Sequence, residues 1–295
     1  MANEQCVNTQ DGWLAERRKA IGASEVAAIL GLSKWSTPWE VWAEKTGRID
    51  PWKGSEATKA GHLLENAVLD FASEALNAQL LRQVRICAEG VPLAATCDAI
   101  TPDRQPVEAK TTGIVGPVYG DWGDELTDKV PDQYLIQVHA QLICTQADVG
   151  YLFALIPGRG IVQYQFARND RMVSTLCERI SQWWDTHIVM DVEPPKTPMP
   201  QLDVIKRLRK EAGKVIQASP QLVALLEHRE QAKAKLASIA KEVEEVEAEL
   251  LMELGDAEVA ELPDGRRLTY LISKRKGYIV EPSEFRSLRT VKGKA

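Results

Sequence analysis

Asp98, Glu108 and Lys110 stand in the order acid, spacer, acid-x-lysine. Side chains alternate along a strand, so Glu108 and Lys110 share one face of an extended segment while Ala109 points away. The turn-rich run Thr101-Pro102-Asp103-Arg104-Gln105-Pro106 lies between them and lets a hairpin carry Asp98 to the same place. Two hard carboxylate oxygens meeting at one point suit Mg²⁺ or Mn²⁺, and the carbonyl of Ala109 offers a further, uncharged oxygen. Such an ion polarises a phosphodiester oxygen and acidifies a bound water, with Lys110 positioning that water or offsetting charge in the transition state. The spacing alone also fits a surface salt bridge.

Positions 57 to 78 show apolar residues at helical spacing, and the buried stripe of Leu64, Val68 and Ala72 also carries Glu65. A carboxylate there is costly unless it meets a cation or a donor, and a second metal would satisfy it. Upstream, Ser24 to Gly31 reads as a short helix with Ser24 as its N-cap, which offers amides to an anion, and Arg17 and Arg18 precede it. Thr37-Pro38-Trp39-Glu40 has the order of a capping box with proline at the first helical position, so a second helix runs to about Thr46 before Gly47. His62 reads as a polar surface residue, and Trp35, Trp39 and Trp42 as core packing rather than a base-stacking wedge.

The elements that must position these groups follow from periodicity and turn signals. Strand-like runs occupy 82–87, 92–100 and 106–112. A helix spans 132–146, strands 149–156 and 161–167 hinge on Pro157-Gly158-Arg159-Gly160, and a helix covers about 170–188. The order implies an α/β core, a mixed central sheet flanked by helices, over 1–190. A proline-rich linker fills 191–201, since repeated proline removes backbone donors. A long heptad-like helical segment over 202–256, straight or folded as a helical hairpin, comes next, then a small basic β-containing tail, 257–295, with a turn at Pro263-Asp264-Gly265.

A net charge of −6 speaks against coating nucleic acid over the whole surface and leaves room for one local channel. Five cysteines without a CxxC pair suggest neither zinc, nor a disulfide framework, nor an iron–sulfur nuclease. No signal peptide and no apolar run of roughly 18 residues is present, so the expected location is the cytoplasm of a bacterial host cell, with no membrane.

Trp13, Arg17, Ile21-Gly22-Ala23-Ser24-Glu25, Gly61-His62-Leu63-Leu64-Glu65-Asn66, Thr96-Cys97-Asp98 and Glu108-Ala109-Lys110 occur in the order of lambda exonuclease. Over residues 11 to 190 the chain resembles the YqaJ-like viral recombinase family of the PD-(D/E)xK nucleases. The resemblance implies a restriction-endonuclease-like core and a Mg²⁺-dependent 5′-to-3′ exonuclease, with Mn²⁺ able to substitute. Such an enzyme resects one strand of a double-stranded DNA end for single-strand-annealing recombination. It further implies metal ligands at Asp98, Glu108, the Ala109 carbonyl and Glu65, a catalytic Lys110, and a 5′-phosphate pocket at Arg17, Ser24 and Thr96. The resemblance also implies that Tyr134 and Gln137, in the family's Tyr-x-x-Gln, line the active site. A ring-shaped trimer and a single-strand annealing protein are the implied partners. Cys97 replaces the superfamily's proline and Thr111 departs from the lambda enzyme, without removing a ligand. The alternatives are a non-catalytic DNA-binding scaffold and a related nuclease of different end preference.

Overall fold

The computed structural model describes residues 15–50, 54–114, 117–118, 120–200, 202–211 and 213–272; Cys6, Trp13 and the basic residues from Lys274 onward lie outside them. The chain divides into two compact units, Met1–Arg209 and Lys210–Ala295.

In the first unit the elements are β1 (Ile21–Gly22), α1 (Val26–Ile29), α2 (Pro38–Lys45), α3 (Glu56–Ala75), β2 (Leu81–Cys87), β3 (Leu93–Ile100) and β4 (Pro106–Thr111). Then come α4 (Asp132–Thr145), β5 (Val149–Ile156), β6 (Gly160–Ala167), α5 (Asp170–Trp184) and the short α6 (Leu202–Lys206). Caps set the boundaries. The Thr37 hydroxyl accepts from the Glu40 amide at 3.2 Å, Glu40 answers the Thr37 amide at 2.9 Å, and α2 stops before Gly47 at φ +71°. The Ser55 hydroxyl caps α3 by accepting from the Thr58 amide, and α4 ends on Gln146 in the left-handed region.

The expected N-cap at Ser24 is corrected. A 3₁₀ turn, Ala23–Glu25, precedes α1, and its cap is Gly22, whose amide is held by the Glu25 carboxylate at 2.7 Å. Glu25 folds back to satisfy the orphan donor, which leaves Ser24 exposed one position inside the turn.

The sheet is mixed, as expected, and its geometry turns on β3. Antiparallel β2 covers one edge of β3 along its length, from Leu81↔Ile100 to Cys87↔Ala94. The other edge is shared: β1 pairs in parallel with its start, Ile21↔Leu93, and β4 pairs antiparallel with its end, Ala99↔Val107 and Ile100↔Pro106. The two strands therefore part immediately after the hairpin, and β4 continues in parallel with β5, which pairs with β6. On one face α3 seats Val68, Leu69 and Ala72 against Ala99, Val107 and Phe153. On the other, α4 packs Val138 and Leu142 against Leu152 and Tyr164, with α1, α2 and α5 beyond it. Trp39 and Trp42 are buried in that second layer, whereas Trp35 is exposed.

The units divide further along the chain than the proline-rich stretch at 191–201. Residues 202–209 stay with the first unit because Val204 is buried there, Ile49 bridges to Leu208, and the Arg209 amide donates to the Arg48 carbonyl at 2.9 Å. In the second unit the heptad segment is one continuous helix, α7 (Pro220–Leu254), rather than a hairpin; no Gly or Pro interrupts it after Pro220. Strands β7 (Val259–Glu261) and β8 (Arg267–Thr269) then pair across the Pro263-Asp264-Gly265 turn. No helix among the described residues is long and apolar enough to cross a membrane.

The approach of α4 to the sheet depends on Gly150. A Cβ there would lie 2.9 Å from a Val138 methyl and 3.2 Å from the Pro106 ring. Gly150→Ala is expected to cost about 1–3 kcal/mol by overpacking, read as a lower denaturation midpoint; an unchanged midpoint would show that α4 can yield.

Candidate active site

The fork between β3 and β4 is closed by a side chain. Asp98 sits where the ladder has ended, and its carboxylate accepts the Ala109 amide at 2.8 Å. That bond replaces a strand–strand bond and fixes Asp98 against β4.

Glu108 is buried at 2% exposure and aims its carboxylate at α4. Its oxygens accept from Gln137 at 2.6 Å, from Gln141 and from the Lys110 ammonium. Lys110 in turn lies 5.4 Å from the Tyr134 ring centre. Tyr134, Gln137 and Gln141 recur at i, i+3, i+7 on α4, one helical face presented to one strand face.

The charges are unevenly matched. Burial, and then the neighbouring Glu108 carboxylate, push the Asp98 carboxyl up to about 8, with Glu65 adding a smaller push. Burial works against the Lys110 charge, but Glu108 and Asp98 outweigh it and hold the ammonium above its ordinary value. Two carboxylates, Glu108 and Asp98, thus face one cation.

Glu65 stands apart from the other three. Its oxygens meet the Gln83 amide at 2.7 Å and the His62 ring at 3.5 Å, so the partner demanded by its half-buried position is found on β2. Among the described residues, no three Asp, Glu, His or Cys side chains close around a single point.

A cleft of about 1080 Å³ brings Arg17, Ser24, Thr96, Asp98, Glu108, Lys110 and Gln137 together. At its side lies a cul-de-sac of about 140 Å³ lined by Arg17, Ser24 and Thr96, and also by Arg85 and Lys45. Beneath it is a charge relay. The Arg17 guanidinium meets Glu25 at 2.7 Å, and the buried Lys45 ammonium meets the other Glu25 oxygen at 2.6 Å and the Arg17 carbonyl at 2.6 Å. Burial raises the Glu25 pKa, but Lys45 and Arg17 overcome it and hold the carboxyl below its ordinary value. At Lys45 burial prevails over Glu25, with Arg17 acting alongside, and its pKa is lowered.

Gln141, Glu25, Lys45 and Arg85 are the residues that sequence reasoning left outside the site. Gln141 carried a signal, since Gln133, Gln137 and Gln141 recur every four residues along α4. Lys45 carried none, because 28 positions separate it from Arg17.

Residues 12–148 match the YqaJ-like viral recombinase domain. The chain is 30% identical over 187 residues to the uncharacterized protein YqaJ of Bacillus subtilis (strain 168), a match covering 61% of this chain and 57% of that protein. The chain therefore spans little more than half the length of that relative. Among solved structures, the alkaline exonuclease LHK-Exo from Laribacter hongkongensis is 15% identical, with a TM-score of 0.49 and coverage of 61% of this chain and 94% of that one. LHK-Exo in complex with dAMP gives a TM-score of 0.50 at 16% identity and the same coverage. At that identity the likeness establishes the fold. Residues 12–148 are thus similar to the YqaJ-like viral recombinase domain, and the α/β core shares the fold of the LHK-Exo structure with dAMP.

Asp98 ties stability to pH. Its pKa is higher folded than unfolded, so the folded state binds the extra proton and stability falls as pH rises from the ordinary carboxylate range to about 8. In chelator-treated protein, Asp98→Asn is expected to melt above the native chain at about pH 9, with the gap closing toward about pH 5. A gap independent of pH in thermal melts would refute this origin.

Proposed function

Taking the YqaJ-like domain as premise, we propose that the protein is a metal-dependent exodeoxyribonuclease. It resects one strand of linear duplex DNA in the 5′-to-3′ direction to leave 3′ single strands for annealing. The observation that carries this reading is the cationic cul-de-sac of Arg17, Ser24 and Thr96 beside Asp98, Glu108 and Lys110 in one cleft. A terminal phosphate held there sets a fixed distance to the bond that is cut. The 5′ polarity itself rests on the family resemblance.

The donor set fits a divalent cation. Asp98 and Glu108 are hard carboxylates, and burial together with their mutual repulsion raises the Asp98 pKa, a cost that a cation relieves. Asp98, Glu108 and the Ala109 carbonyl would hold a first Mg²⁺ or Mn²⁺, with Glu65 serving a second. The ion supplies charge stabilisation on the phosphate and a more acidic water.

The chain's own groups do the rest. Gln137 and Gln141 fix the Glu108 carboxylate in one orientation, so none is lost when DNA arrives. Lys110, kept protonated, presents a cation to the developing charge and to the attacking water. Tyr134 packs its ring against that ammonium. Arg17, braced by Glu25, meets the terminal phosphate with charge-assisted bonds. A ring-shaped trimer around DNA and a single-strand annealing protein complete the proposed setting.

Digestion of linear duplexes that differ only in their 5′-phosphate, with Mg²⁺ or with EDTA, tests the assignment. Lys110→Ala and Glu108→Ala are expected to lower cleavage by at least about 10²-fold while DNA still binds. Arg17→Ala mainly erases the preference for the phosphorylated end. Degradation that persists in EDTA or without Lys110 would sink the mechanism, and equal losses in all three variants would contradict separate roles.

A further inference from the structure

Among the described residues, no side chain of α7 is buried. Leu236, Ile239 and Val243 are 68%, 57% and 50% exposed, although they belong to an apolar row that runs the helix's length. Written as heptads, the a positions are Leu222, Arg229, Leu236, Val243 and Leu250, and the d positions are Leu225, Ala232, Ile239 and Val246. A row at a and d spacing is the seam that a partner helix covers in a coiled coil.

The charges beside that row say which helix. The g positions read His228, Lys235, Glu242 and Glu249, basic in the first half and acidic in the second. None of the four has an ion pair within the chain among the described residues, whereas Lys241 and Glu245, away from the row, pair with each other at 3.2 Å. The second half also holds Glu244, Glu245, Glu247 and Glu253, and the last turn has no basic residue. Six glutamates therefore crowd the negative end of the helix dipole, where cations are favoured.

We propose that α7 pairs antiparallel with α7 of a second copy of this chain. Setting Leu236 opposite Ile239 of the partner subunit matches Leu225 to Leu250, Ala232 to Val243 and Arg229 to Val246, and only Leu222, at the end of the row, falls opposite a charge, Glu253 of the partner subunit. In an antiparallel pair g residues face g residues, so Lys235 meets Glu242 of the partner subunit and His228 meets Glu249 of the partner subunit, each twice by symmetry. The basic first half of each helix lies along the acidic second half of the other, which answers the dipole conflict. A parallel pair does the reverse: g faces the e position five residues on, bringing His228 against Lys233 and Glu242 against Glu247. The inference does not depend on the nuclease reading.

Full-length chain is to be followed by sedimentation velocity over a concentration series, with Lys235→Glu, Glu242→Lys and the double variant alongside. Each reversal is expected to weaken self-association roughly tenfold by placing like charges at two symmetric contacts, and the double variant to return within about threefold of the native chain. Carbodiimide coupling of mixed light and heavy isotope-labelled chains is expected to join Lys235 to Glu242 between chains. Association indifferent to both reversals, a double variant that is not rescued, couplings confined to one chain, or a monomer at every concentration would each overturn the pairing. The last result would leave the row to a different protein. Helix content by circular dichroism separates a charge effect from loss of the helix itself.

Discussion

A carboxylate taken out of water must be given partners, and the burial of Glu108 sets that condition for much of the first unit. Its oxygens are supplied by Gln137, Gln141 and Lys110, which requires α4 to lie close across β4 with one polar face turned down. That closeness is built by small and tightly fitted groups, Gly150 beneath Val138 above all. Burial first, and then the same Glu108 charge across the fork of β3 and β4, raise the affinity of Asp98 for a proton. Packing, hydrogen bonding and acidity at this point are one problem with one solution.

The second polar centre works on different terms. Arg17 is half exposed, and what fixes it lies underneath, a Glu25 carboxylate shared with the buried Lys45. Glu25 also caps the 3₁₀ turn through the Gly22 amide, so the element that carries Ser24 and the side chain that braces Arg17 are held by one group. Removing either partner of a buried pair strands a charge, which makes the relay a rigid floor for the cul-de-sac.

The second unit is stabilised by other means. With no buried residue along α7, its order rests on the Ser219 cap, the stop at Gly255 and exposed pairs such as Lys241–Glu245. Contributions of that kind amount to a few tenths of a kcal/mol for each pair, and helices in proteins draw most of their stability from packing an apolar face. Its apolar row is thus the physical counterpart of the first unit's buried carboxylate, a group whose satisfaction must come from outside its own element.

Local chemistry was legible in the sequence. Thr37-Pro38-Trp39-Glu40 and Gly47 bounded α2, alternation and turn residues marked the strands, and the 4–3 spacing from Ala232 to Leu250 marked α7. These signals act within a few residues, where caps, φ restrictions and side-chain period operate without reference to the rest of the chain. The order of Asp98, Glu108 and Lys110 pointed to one group of the cleft, and the family resemblance rather than spacing added Arg17, Ser24 and Thr96. Only the tertiary structure decided how they are held: Asp98 on the Ala109 amide, Gln141 on Glu108, Glu65 turned to Gln83, and Lys45 under Arg17. The apparent cap at Ser24 gave way to Gly22 because Glu25, drawn by Lys45, folds back over the turn. Such pairings depend on which faces of distant elements pack together, and no period or spacing along the chain reports that.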